Sequence, residues 1–426
     1  MNKKEKIKKN LGYKNILRLK KFFAVRKYIK AIISNNKSRI VYDKKYFSAC
    51  REIGLEGENV FFGYYDLKSL NRNGSRALIH ILDKDAKIGK DYIELATYDM
   101  DSGKIQIFGR TKAWSWQQGC RLRWDPIDDN KILYNDYDGD RYITRVFDLL
   151  SMKIVDTIPV ALYDITYDGK YGLSLDFVRL QRLRPGYGYC CTEDLTRYEK
   201  APKNTGIFLW NKEAKTTKLI ISLSELAKSV GTSEVEHYIN HISVSPSGKK
   251  FIFFHLWTHG LGTKWNMRLY ICNIDGSDLR CIDDSEILSH YCWKGDNILL
   301  MTALANDNIN HAKYIIYNLA KNNKKIIESS HLEEDGHPGF IGESYNFITD
   351  TYPHNDSMQY IFMSDVNGRK YKNLVSVYAN PFLIDEYRCD LHPRVRDLEN
   401  GWLSIDTTYK NLRRVIYFRG IKRYED

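Results

Sequence analysis

Between residues 60 and 420 the apolar positions fall in short β-rich runs, each closed by a turn signal and answered by a second run, and not at the three-to-four spacing of helices. The clearest unit is HISVSPSGKKFIFFHLW (241–257): a strand, an S-P-S-G turn and a return strand. It is followed by RLYICNIDGSDLRCI (268–282), two more strands around a D-G turn. Four such strands make one propeller blade. Aligned on the turn, LKSLNRNGSRALIHI, RLRWDPIDDNKILYND, LYDITYDGKYGLSLDF, HYCWKGDNILLMTA, HPGFIGESYNFITDTYP and HPRVRDLENGWLSIDTTY give six further units. The expected fold is all-β: a seven-bladed β-propeller over 55–422, with inner strands starting at Leu67, Arg121, Leu162, His241, His290, His337 and His392. The one long interval contains an insertion at 179–205, RLQRLRPGYGYCCTEDLTRYEKAPKNT, and long insertions on repeat scaffolds tend to sit at binding faces.

The N-terminal pattern is different. Ile16, Leu19, Phe22, Phe23, Ile29, Ile32 and Ile33 recur at helical spacing between Lys20, Lys21, Arg26, Lys27 and Lys30. Residues 1–45 are therefore expected to form a basic amphipathic helical extension, with 14–34 either touching an anionic membrane surface or packed on the propeller. Charge strengthens this division. Residues 1–45 hold sixteen Lys/Arg against two acids, a local +14 that leaves the rest of the chain at −2 out of the total +12. The propeller thus lacks a nucleic-acid signature, and attraction to acidic partners belongs to the extension. The eight cysteines form no C-x-x-C pair, and neither a run of eighteen apolar residues nor a signal-peptide pattern occurs; the expected compartment is the cytoplasm.

Four consecutive units begin with histidine: His241, His290, His337 and His392. Equivalent inner-strand positions surround a propeller's channel, so these imidazoles are expected to converge at one mouth. The return strands bring Asn135, Asp176, His255, Asp350 and Asp406 to the same rim, with Trp257 close after His255. Gln117, Gln118, Tyr64 and Arg394 lie near inner-strand starts. Imidazole beside carboxylate or amide suits a divalent transition metal, and imidazole beside Arg and Tyr suits acid/base work on an acidic substrate. Hydrogen bonding between blades is the competing role for Asp350 and Asp406. Arg179, Arg182 and Arg184 with GYGY (186–189) make a candidate lid, and no nucleotide-binding or nucleophile-elbow motif is present.

The motifs GYYD, WQQG, RLRPGYGY, NHISVSPSG, SHYCW, GHPGF, TDTYP and DLHPR resemble the TolB-type propellers, and more narrowly the oligogalacturonate lyase-like propellers found with bacterial surface-polysaccharide genes. That resemblance implies a lyase on uronate-containing glycans. In the lyases a manganese ion is held by three histidines and a glutamine, and an arginine or histidine takes the proton α to the carboxylate. Carried over, it makes His241, His290, His337, His392 and Gln118 the candidate ligands of a divalent metal, Mn2+ by resemblance. Arg184, Arg394, Tyr64 and Tyr352 become candidate catalytic groups. Gln117, Arg179, Arg182, His255, Trp257, Asp350 and Asp406 become candidate contacts to an acidic oligosaccharide. The alternative is a non-catalytic glycan-binding or scaffold propeller in surface-polysaccharide biosynthesis, or a glycosyltransferase-associated protein.

Overall fold

The computed structural model describes residues 13–420 apart from 261, 262, 264, 306 and 307; residues 1–12 of the expected extension, the Ile16 side chain and residues 421–422 lie outside the described residues. Seven antiparallel sheets follow one another along the chain as the seven blades of a β-propeller. Blade 4 shows the plan: Glu236–Val244, Lys250–Thr258, Trp265–Asn273 and Arg280–Asp283 pair in chain order from the channel outward. Its second strand reads FIFFHLW because both of its faces are covered, and Phe251, Phe253 and Phe254 are buried. Burying each such ring contributes roughly 1.5–3 kcal/mol. Outermost strands, such as Lys153–Ile158, face water on most positions and lack this apolar signature.

The ring is closed by the N-terminal side of the chain. Ala49–Ile53 pairs with Leu412–Arg419 and completes blade 7, while Ile40–Tyr42 adds a fifth, outer strand to blade 6. The boundary expected at 45–55 therefore lies earlier, at about residue 40. These strands are short and mostly half-buried or exposed, so no hydrophobic alternation announces them.

Before them runs the helix Tyr13–Ile33. It rests on the propeller through Ala24 and Ala31, both buried, and through ties to the loops after the second and fourth strands of blade 6. Lys27 Nζ donates to Pro353 O at 3.1 Å, Lys20 pairs with Asp385, and the Tyr28 and Phe382 rings lie 5.3 Å apart. No described helix is long and apolar enough to cross a membrane.

Candidate active site

The aligned histidines stand where inner strands leave their register. Pairing in blade 4 slips between Asn240 and Ser243, and His241 adopts φ 52°. Blade 5 slips between Leu288 and Tyr291, around His290. His392 and Arg121 take φ 47° and 55° at the matching positions. A bulge of this kind re-aims a side chain that would otherwise pack within the sheet. His241 and His290 thus lie inside the strands Glu236–Val244 and Ile287–Lys294, and the inner strands begin earlier than the turn alignment indicates.

The four imidazoles come together. Ring centroids are 5.9 Å apart for His241–His290, 3.9 Å for His290–His337 and 4.4 Å for His337–His392. Tyr64 fills the centre of the arc, with its hydroxyl 3.1 Å from His241 Nδ1 and its ring 4.8 Å from that of His392. Tyr65 crosses to blade 5, donating to Tyr291 O at 2.9 Å and accepting from Tyr291 N at 3.0 Å. Tyr291 in turn donates to His241 O.

Outer partners fix the rings. His337 Nδ1 lies 2.9 Å from Asp350, whose carboxylate also accepts from the backbone N of His337 and of His392. His392 Nδ1 donates to Gly63 O at 3.0 Å, and His290 Nδ1 lies 3.3 Å from Asp335. With Nδ1 engaged, the Nε2 atoms of His337 and His392 are buried and have no partner. Ligand atoms of His337, His392 and Asp390 all lie within 4.8 Å of one another. Two imidazoles oriented by other groups, with a carboxylate, form a donor set that fits a first-row divalent cation.

Electrostatics divide the cluster. Burial, together with neighbouring imidazoles and arginines, drives His241 and His392 well below the ordinary imidazole range, and burial lowers His290. His337 goes the other way: burial opposes its charge, but Asp350, Asp390 and Asp335 outweigh it. Asp390 is held low against its own burial by Arg388, which grips it through two bonds of 2.6 and 2.7 Å.

The insertion covers this end of the channel. It begins as the helix Phe177–Leu183, capped by Asp176, and then brings Tyr187 to 6.2 Å from Tyr64 and 5.9 Å from His241. The Arg184 guanidinium lies over Trp265 and Tyr187. Burial works against its charge, yet the hydroxyls of Tyr187, Tyr238 and Tyr352 hold its pKa above the ordinary value, so it remains a cation. Arg388 lies 4.4 Å over Tyr352, whose ring is 6.1 Å from His337. Gln117 donates to Arg388 O, and Gln118 donates to Tyr163; both keep a buried Oε1 without a partner.

Several sequence candidates are placed elsewhere. Arg179 is buried among His237 O, Thr196, Glu199 O, Lys200 O and Glu236, and Arg182 pairs with Asp194 and Glu236; both tie the insertion to the body. Arg394 is buried against Asp406, Ser404 and Gly63 O. Asp406 also accepts from Phe62 N and Gly63 N, which joins blade 7 to blade 1. His255 meets His237 at 2.9 Å and stacks near Trp257, under the insertion's anchor and away from the arc. These groups hold blades and insertion together, although the buried Nδ1 of His255 keeps no partner.

Asp335, Asp390, Arg388 and Tyr65 were not singled out as site residues from the sequence, whereas Tyr187 belongs to the GYGY segment of the candidate lid. A signal for the first two exists: D-G-H-P at 335–338 and D-L-H-P at 390–393 repeat an aspartate two residues before the blade histidine. Each such aspartate reaches towards the histidine of the preceding blade, Asp335 to His290 and Asp390 to His337.

No family model and no curated protein match this chain. Solved structures do. An oligogalacturonate lyase in complex with manganese aligns over 90% of this chain and 98% of its own, at 13% identity and a TM-score of 0.60. In fold, the chain is similar to oligogalacturonate lyase. The corresponding lyase from Vibrio parahaemolyticus aligns over 89% and 96%, at 11% identity and a TM-score of 0.59. TolB from Acinetobacter baumannii aligns over 72% of this chain and 65% of its own, at 15% identity and a TM-score of 0.40. The oligogalacturonate lyase matches establish a shared lyase-like propeller architecture at an identity too low to carry activity with it.

Proposed function

We propose that this protein is a carbohydrate-active propeller that cleaves uronate-containing saccharides by β-elimination at the insertion-side mouth. The observation that carries this reading is the pair of unpartnered Nε2 atoms of His337 and His392, converging with Asp390 beneath the cations Arg184 and Arg388. The likeness to a lyase described with manganese supports it. His337, His392 and Asp390, with His290 alongside, would hold a divalent metal, which supplies positive charge that makes the proton α to a uronate carboxylate more acidic.

The chain's own groups divide the remaining work. Arg184, kept cationic, binds carboxylate and is unsuited to take a proton. Neutral His241 takes the C5 proton while the C4–O4 bond breaks and the C4–C5 double bond forms. The Tyr64 hydroxyl, bonded to His241, donates its proton to the departing O4 and regains one from His241. The four histidines are at most 9% exposed, so from the insertion side a sugar ring enters when Tyr187 moves aside, while His241 and Tyr64 also border the wide cavity at the other end of the channel.

That closure favours a second reading, a glycan-binding or scaffold propeller with no turnover. The two separate cleanly. Manganese-loaded protein is incubated with oligogalacturonates and other acidic oligosaccharides while the ultraviolet absorbance of the unsaturated product is followed. Product formation that disappears in His241→Ala supports the lyase. Silence across the panel with metal bound removes it and leaves the binding role.

A further inference from the structure

The N-terminal helix meets the propeller with the opposite side from the one its apolar residues suggest. Its buried contacts are Ala24 and Ala31, flanked by Lys20 and Lys27, which reach back to Asp385 and Pro353 O. At 100° per residue these four share one side of the helix. Phe22, Ile29 and Ile33 stand diametrically opposite and are 58%, 50% and 80% exposed. Leu19, Phe23, Val25 and Ile32 flank them and are also exposed, interleaved with exposed Arg18, Lys21, Arg26 and Lys30. Exposed hydrophobic side chains on a contiguous helix face mark an interaction site, and interleaved cations specify its chemistry.

The helix is also placed relative to the candidate site. It is seated on residues 353, 382 and 385, and Asn36, just after it, donates to Asp356. These belong to the two loops of blade 6 that also carry Tyr352, Glu386 and Arg388. In a propeller, the connection between second and third strands and the connection to the next blade emerge on the same face. The insertion, which links the second and third strands of blade 3, emerges there too.

We infer that the helix Tyr13–Ile33 is an interfacial anchor that lays Phe22, Ile29 and Ile33 into an anionic lipid bilayer and holds the insertion-side mouth towards that surface. Charge selects the bilayer over a second copy of the chain. Residues 1–45 carry +14 against −2 for the remainder, so two such helices repel each other, whereas anionic headgroups attract each of them. The inference rests on the helix and its seat, and it stands whether or not the lyase reading does.

The test is co-sedimentation of the full chain with vesicles of phosphatidylethanolamine and phosphatidylglycerol, and with vesicles of phosphatidylcholine alone. The wild type is expected to pellet with the anionic vesicles and to be released by salt. The triple variant Phe22→Ser, Ile29→Ser, Ile33→Ser alters only outward side chains and should lose about tenfold or more in partitioning. Hydrogen exchange on vesicles should then protect 352–357 and 381–388 while leaving the turn at 246–249 unchanged. Equal pelleting with the two lipid mixtures, or full pelleting of the triple variant, overturns the anchor. Self-association that the triple variant abolishes, without lipid binding, assigns the face to a second copy and overturns it too. Protection confined to the 246–249 side overturns the orientation.

Discussion

The channel has two ends of opposite character. On the insertion side the four histidines and Tyr64 are buried together and two imidazole nitrogens lack partners, with His241 and Tyr64 also reaching the other end. Beyond Tyr64 and Tyr65 the other end widens into a cavity of about 1280 Å³ lined by residues such as Trp124, Tyr167, Trp293 and Phe340. Volume alone would favour the second as a binding site. Several of its charged groups, however, are already paired: Arg123 with Asp164, Lys68 with Glu399, Lys294 with Glu343. Buried polar atoms are ordinarily satisfied, so the exceptions locate chemistry better than the size of a hole does. The tyrosine pair stands between a cavity whose described lining holds no buried side-chain atom without a partner and a cluster that holds two such imidazole nitrogens.

The contrast breaks most visibly on metal. Removing both oriented imidazoles, His337→Ala with His392→Ala, should weaken Mn2+ binding by more than about a hundredfold, beyond what loss of an outer partner does. Trp293→Ala with Lys294→Ala, at the wide end, should leave it unchanged. Equilibrium dialysis with elemental analysis measures both. Equal losses in the two pairs, or no binding by the wild type, would remove the distinction between the ends.

A smaller change sharpens it. Asp350→Asn keeps the shape but replaces a carboxylate that accepts from His337 Nδ1 and from two backbone N–H groups. Freed from that partner, the His337 ring should present Nε2 less often, lowering metal affinity by about 10–100-fold. Weaker acceptance of the backbone N–H groups costs about 1–3 kcal/mol as well. Comparing melting temperatures with and without Mn2+ separates these effects: a positioning role shrinks the metal-induced rise, while a purely structural role lowers both temperatures equally.

Blade number and histidine register were legible because both arise from repetition. The S-P-S-G and D-G turns mark hairpins, and the bulge recurs one blade at a time, so equivalent letters fall at equivalent places. What repetition does not carry stayed hidden. Ile40–Tyr42 and Ala49–Ile53 are short outer strands whose residues are mostly half-buried or exposed, and burial leaves no alternation in them. Arg394 resembles a site arginine until blade 7 closes on blade 1 and Asp406 is found beside it. Arg179, Arg182 and Arg184 are neighbours in sequence, yet the helix Phe177–Leu183 sends the first two to Glu236 and only the third, just past its end, to the mouth. The apolar residues of the N-terminal helix were readable too, but they are spread over several sides of it and give no clean amphipathic face, and the side that meets the propeller is set by Ala24 and Ala31.

His80 supplies the finest test, because it isolates burial from convergence. Its ring is fully buried, stacks on Phe61 at 5.1 Å, and has an Nδ1 without a partner, as His337 and His392 have at Nε2. Cys120 Sγ lies 3.2 Å from its Nε2, but among the described residues no third ligand group joins them, so it should bind no metal. Burial outweighs the backbone carbonyls of Phe62 and Phe61, and its pKa is pushed down to about 4. The folded protein therefore resists protonating His80, whereas the unfolded chain protonates near 6.5. Its contribution to stability is complete above about pH 6.5 and lost as pH falls towards 4, a swing of about 3 kcal/mol. In His80→Leu, denaturant unfolding followed between pH 7 and 4 should lose stability less steeply by about that amount, with Mn2+ binding unchanged. An unchanged pH slope would show that the ring does not resist protonation as its burial requires. Altered Mn2+ binding would show that an isolated unpaired nitrogen is enough to affect the metal, and that convergence is not what distinguishes the insertion-side end.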